Sequence, residues 1–156
     1  MAQRRSSTHP HSLGLTPTAY FARLAFGVAA WLFVACVVLQ VFLAGYAVMA
    51  GSTFEVHRSF GYTFGWLTLV LVVLALVGRL SRTRVWLTVL ILVLFTMQSV
   101  FLLFRSNLPV VAALHPVNAL AIFWVSLWLA RHAGMRETLS ERRERLAAAS
   151  HGSDVP

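Results

Sequence analysis

The sequence predicts an all-α membrane protein, a transmembrane four-helix bundle with up-down-up-down topology. Three observations carry that expectation. Hydrophobic residues make up 58% of the chain and charged residues 12%, with a mean hydropathy of +0.74, a balance foreign to soluble globular domains. The apolar residues gather into four runs, 24–49, 57–78, 85–104 and 113–131, each near the roughly 20 residues that cross a hydrocarbon core. The basic residues, finally, collect at alternate ends of those runs.

All 13 basic residues are arginine, and the formal charge of +8 reports topology rather than an affinity for nucleic acid. Arg4, Arg5 and Arg23 precede the first run, Arg79, Arg82 and Arg84 separate the second from the third, and Arg131, Arg136, Arg142, Arg143 and Arg145 follow the fourth. Only Arg58 and Arg105 fall in the other two connections. The positive-inside rule then puts both termini and the middle loop in the cytoplasm of a bacterial cell, with the chain multi-pass in the inner membrane.

Taken in order, residues 1–19 are rich in Ser, Thr, Pro and His and are expected to form a disordered cytoplasmic N-terminus, with His9 and His11 incidental. The first run is too long for the apolar core of a signal peptide and three more runs follow it, so it is expected to stay as a span. Cys36 lies mid-span, a small apolar filler with no partner cysteine. Residues 20–132 form the four-span domain. Residues 133–156 form a basic cytoplasmic tail, where 140–145 reads as a solvated helix lying against anionic headgroups.

Polar side chains are rare at membrane depth, and those present usually face a bundle interior. Gln40 lies in the first span and Gln98 in the third, while His57 opens the second and His115 the fourth. Each Gln precedes its His by 17 residues, as in a duplicated hairpin with an offset of 58. The second and fourth helices run in the same direction, so His57 and His115 share one depth in the outer half of the bundle. Two such imidazoles suit the axial positions of a haem b held edge-on between helices. Gly61 and Gly65 follow His57 at i+4 and i+8, and Ala119 follows His115 at i+4, leaving room for a flat ring. Arg58 and Arg105 are candidate partners for haem propionates. The same residues also admit a structural explanation: Gly61 and Gly65 as a close-packing G-x-x-x-G, His115 before Pro116 as a helix start, and the glutamines as interhelical hydrogen-bond formers.

The segment HRSFGYTFGWLTLVLVVLALVGR at 57–79 resembles the second helix of a four-helix half in the haem A synthase family, whose H-R-x-x-G-x-x-x-G start carries a haem-ligating histidine. TMQSVFLLF at 96–104 and LHPVNALAIF at 114–123 look like that family's third and fourth helices. Residues 20–132 also resemble small uncharacterised bacterial four-span proteins sharing the L-H-P-V-N-A element. The resemblance implies haem ligation by His57 and His115 in one such half. It does not extend to the family's oxygenation chemistry, because the chain has a single half, and Glu55 is the sole acidic residue on the expected outer side.

The expected function is a b-type haem protein with bis-His ligation that transfers electrons or holds or senses haem, with a redox partner or a second copy as its partner in the bilayer. A low-spin, six-coordinate iron has no open site, so enzymatic activity is not expected. Two alternatives stay open. One is a cofactor-free accessory subunit or small-solute carrier, and the other a haem-modifying enzyme related to haem A synthase.

Overall fold

Thr16 and Pro17 start the first helix. In the computed structural model, which describes residues 16–134 together with Ser140 and Arg143, the Thr16 hydroxyl accepts the Ala19 N–H at 3.3 Å and Pro17 occupies the first helical position, a strong pairing at a helix N-terminus. Helix α1 therefore spans Pro17–Met49, beginning seven residues before the apolar run at 24. Its 33 residues are about 50 Å long, more than a hydrocarbon core needs, so it tilts or protrudes. The expected disordered segment overlaps this helix at 17–19. The rest of that segment, apart from Thr16, and most of the expected basic tail lie outside the described residues.

Helix α2 covers Glu55–Val77 and α3 covers Arg82–Leu103. The fourth span is interrupted: a single turn, α4, covers Pro109–Ala112, and α5 covers Leu114–Arg131. Pro109 starts the short turn and Pro116 sits inside the first turn of α5, where its missing N–H costs nothing. The described residues form no strand. All four spans are long and apolar enough to cross a membrane, with mean hydropathies of 2.4, 2.2, 2.3 and 1.8. Their outward faces carry Trp66, Trp86 and Trp124, each about 70% exposed, an apolar exterior that suits lipid as solvent.

Around the bundle the order is α1, α2, α3, α5, with the most extensive contacts inside the hairpins α1–α2 and α3–α5. The diagonal pairs α1/α3 and α2/α5 have no backbone contact. The core is thin and uses small residues where helices approach, notably Ala29, Ala30, Ala75 and Ala130. Buried positions recur at the 58-residue offset: Ala30 and Thr88, Phe33 and Ile91, Phe64 and Ile122, Thr68 and Ser126, Leu71 and Leu129, Ala75 and Ala133 are all buried. The repeat thus survives in which positions face the core, although few of the residues are identical. With α1 and α3 on one diagonal and α2 and α5 on the other, the two hairpins are arranged about an approximate two-fold axis along the bundle.

The buried hydroxyls are satisfied within their own helices. Thr68 Oγ1 donates to Gly65 O at 2.7 Å, Thr88 Oγ1 to Arg84 O at 2.7 Å and Ser126 Oγ to Ile122 O at 2.7 Å. Asn118 instead crosses between helices, donating from Nδ2 to Leu94 O at 2.8 Å. At the arginine-rich end, Arg23 donates from Nε to Gly78 O at 2.9 Å and from Nη2 to Arg79 O at 3.3 Å. It ties α1 to the C-terminus of α2, where Arg79 adopts a left-handed φ of 50°.

Candidate functional site: a glutamine–histidine quartet

Gln40, His57, Gln98 and His115, all half-buried, meet at one end of the bundle. The topology explains the meeting. Each His opens an even-numbered span, and each Gln lies in the last turns of the odd-numbered span before it, so the 17-residue spacing returns the chain to the same depth after the connecting loop.

Within the first hairpin the contact is reciprocal. His57 Nδ1 lies 3.0 Å from Gln40 O, and Gln40 Nε2 donates to His57 O at 2.8 Å. A carbonyl only accepts, so Nδ1 carries the imidazole proton and Nε2 keeps its lone pair. The second hairpin repeats the pattern: His115 Nδ1 lies 2.9 Å from Gln98 O. Oriented so that its nitrogen faces acceptors, the Gln98 amide donates to His115 O at 2.9 Å, brings the same nitrogen to 3.2 Å from His115 Nδ1, and accepts the Ala119 N–H at 3.2 Å. Both imidazoles are thus held through Nδ1 on a backbone carbonyl, an arrangement that makes Nε2 the acceptor nitrogen; in His57 that nitrogen faces Gln40 Nε2 at 3.3 Å.

The two rings come from diagonal helices and meet across the bundle axis, with centroids 6.3 Å apart and planes at 61°. With metal–nitrogen bonds of about 2 Å each, two imidazoles opposite one another on one metal would place their bound nitrogens about 4 Å apart and their ring centroids farther. The centroid spacing is of that order, while His57 Nε2 itself is turned to Gln40 Nε2 at 3.3 Å.

The glycines below His57 do not face an open slot. A Cβ at Gly61 would stand 2.8 Å from Gln40 Nε2, and one at Gly65 would stand 2.7 Å from Phe95 Cε1. Gly61 admits the glutamine amide and Gly65 admits an aromatic ring, which is the close-packing role of the G-x-x-x-G. Phe95 in turn packs against Phe64 with centroids at 5.1 Å and against Phe33 at 6.1 Å, so an aromatic layer from three helices lies on the inward side of the quartet. Ala119 takes part through its backbone N–H. Arg58 and Arg105 lie exposed at the same end, and neither hydrogen-bonds to the quartet.

Sequence reasoning missed Asn118 and Arg23. Asn118 stands at i+3 from His115 inside the L-H-P-V-N-A element, so its helical position was available as a signal. Arg23 was counted only as a topology marker.

The profile of a family of unknown function, DUF6220, matches residues 40–104. The match covers Gln40, His57 and Gln98 and ends before His115, and it takes in less than half of the chain. No curated protein and no solved structure matches. Nothing in these comparisons links the chain to the haem A synthases, so that resemblance rests on the short motifs alone.

Proposed function

We propose that the protein is an integral membrane b-type haem-binding protein in which His57 and His115 are the axial ligands. The observation that carries this reading is the pair of imidazoles 6.3 Å apart across the bundle axis, each anchored through Nδ1 on a glutamine carbonyl. A carbonyl partner fixes tautomer and ring orientation and raises ligand basicity. Bound there, the haem would supply a one-electron iron couple whose potential depends on its ligands, their hydrogen bonds and burial. The chain's part is to hold both imidazoles through Nδ1 with their rings 6.3 Å apart at 61°, and to exclude water on the inward side with the Phe33, Phe64 and Phe95 layer. Arg58 and Arg105 supply cations at the same end for propionates.

The arginine distribution supports an orientation with the quartet toward the outer face and Arg23, Arg79, Arg82, Arg84 and Arg131 toward the cytoplasm. A saturated bis-His iron suits electron transfer or haem holding rather than oxygen activation. The test is titration of detergent-purified protein with hemin. The expected result is a shifted Soret band that saturates at one haem per chain, and an unshifted band overturns the proposal.

One observation favours a second reading. Gln40 and Phe95 fill the space at Gly61 and Gly65, as expected of a cofactor-free bundle in which the quartet clamps two hairpins together. Such a protein is colourless, and its glutamine variants lose stability without any spectroscopic consequence.

A further inference from the structure

An open groove of about 370 Å³ lies between α2 and α3, with Tyr62, Gly65, Trp66 and Leu69 on one wall and Leu92 and Thr96 on the other. At the 58-residue offset its counterpart is the seam between α5 and α1. There Phe123 stands in the place of Gly65 and packs against the core, while Val34 and Val37, in the places of Leu92 and Phe95, are buried. Phe95 reaches Gly65 from α3, yet the groove stays open beside it. The groove leads toward the arginine-rich end. On α2 the exposed Leu69, Val73 and Leu76 follow one face down to Arg79, and on α3 Leu92, Val89 and Val85 lead in the same way to Arg82.

Arg79, Arg82 and Arg84 gather at the turn joining these two helices. Their side chains make no hydrogen bond or ion pair among the described residues, and the sole acidic side chain among those residues, Glu55, lies at the other end of α2. Arg79 also occupies the left-handed position of a Schellman motif, in which the Arg79 N–H reaches Leu76 O and the Leu80 N–H reaches Ala75 O, both at 3.0 Å. Glycine takes that position without strain, and Gly78 stands one residue earlier, so the chain holds a cation where its backbone favours the neighbouring glycine. A strained residue of this kind points to a use for its side chain.

We infer that the α2–α3 face binds one anionic phospholipid in the leaflet at the arginine-rich end, with its phosphate on Arg79, Arg82 and Arg84 and one acyl chain in the groove. Leu92 lies about 15 Å along α3 from Arg82, half of a hydrocarbon core of roughly 30 Å, so a chain anchored at the arginines reaches the mouth of the groove at Leu69 and Leu92. Guanidinium forks match phosphate oxygens, and cations with no carboxylate beside them select an anionic headgroup over a zwitterionic one. The site shares no residue with the quartet and stands apart from the haem reading.

The repeat supplies the control for the test. Trp66 lines the groove and Trp124 is its counterpart on α5, with exposures of 71% and 72%. Two proteins, each keeping one of these tryptophans and carrying Trp→Phe at the other positions, are reconstituted in phosphatidylcholine vesicles containing a minor fraction of phosphatidylglycerol with brominated acyl chains, and tryptophan quenching is read. Trp66 is expected to be quenched beyond Trp124, whereas brominated phosphatidylcholine quenches the two alike. Arg79→Gln and Arg82→Gln, made singly so that the remaining arginines still set the topology, are each expected to lower the phosphatidylglycerol preference at Trp66 about fivefold, the worth of one arginine at a membrane surface. Thr96→Phe fills the groove without altering a charge and is expected to bring Trp66 to the Trp124 level. Equal quenching of Trp66 and Trp124 by brominated phosphatidylglycerol overturns the proposal, as does an excess at Trp66 that phosphatidylcholine reproduces or that both arginine variants retain. A Trp66 shielded from both lipids relative to Trp124 assigns the groove to protein, a second copy or the chain's own tail, and overturns it as well.

Discussion

Replacing Gly65 by alanine adds one methyl group against Phe95, while the same change at Gly45 adds one against open space, and the two should act with opposite sign. At Gly65 the new Cβ would stand 2.7 Å from Phe95 Cε1 and 3.3 Å from Cζ. The Phe95 ring cannot simply swing away, because Phe64 holds it at 5.1 Å and Phe33 at 6.1 Å. Overpacking of this kind costs about 1–3 kcal/mol. Alanine's better helix propensity returns about 1 kcal/mol, so Gly65→Ala is expected to fall between neutral and about 2 kcal/mol destabilising. At Gly45 no atom lies within 4 Å of the added Cβ, and the propensity gain of about 0.5–1 kcal/mol remains alone. The two variants should therefore differ by about 1–3 kcal/mol in unfolding by SDS in mixed micelles, followed by helical circular dichroism. Phe95→Leu should relieve part of the Gly65→Ala cost, giving a coupling of at least about 0.5 kcal/mol in a double-mutant cycle. Equal stability of Gly65→Ala and Gly45→Ala would refute the packing argument.

Three further expectations are independent of the quartet. Asn118→Leu removes the α5–α3 hydrogen bond to Leu94 O and should cost about 0.6–1.7 kcal/mol in the same unfolding assay. Arg79→Gly should stabilise by about 1 kcal/mol, because the residue adopts a φ of 50° that side chains resist; a destabilised variant would mean that the Arg79 side chain contributes more than its backbone costs. In a Cys36→Ala background, Ser52→Cys should react with a membrane-impermeant maleimide added to intact cells and Ser81→Cys should not, since the two loops lie at opposite ends of the bundle; the reverse pattern would invert the proposed orientation.

Much of the fold was legible because lipid imposes so simple a demand. Apolar runs of span length have to be helical, since every backbone group must be satisfied within its own segment. Boundaries were less legible, because they depend on caps rather than hydropathy. The Thr16–Pro17 start lies ahead of the apolar run, and the Pro109 turn sits inside what reads as a loop. The 17-residue spacing named all four members of the quartet in advance, because equal spacing across a hairpin returns residues to equal depth. The use of the glycines was not legible. A gap in side-chain volume at Gly61 and Gly65 reads the same whether a cofactor or a neighbouring side chain fills it, and only the packing shows Gln40 and Phe95 there. The repeat was also stronger than residue identity suggested, because the burial of pairs such as Phe33 with Ile91 is retained while their chemistry changes.

The central claim is that His57 and His115 act together on one iron. Oxidised and dithionite-reduced visible spectra of hemin-loaded protein test it most directly, comparing wild type with His57→Ala and His115→Ala. The account predicts a low-spin, six-coordinate spectrum for wild type that each single substitution abolishes. A low-spin spectrum retained by either variant would contradict it.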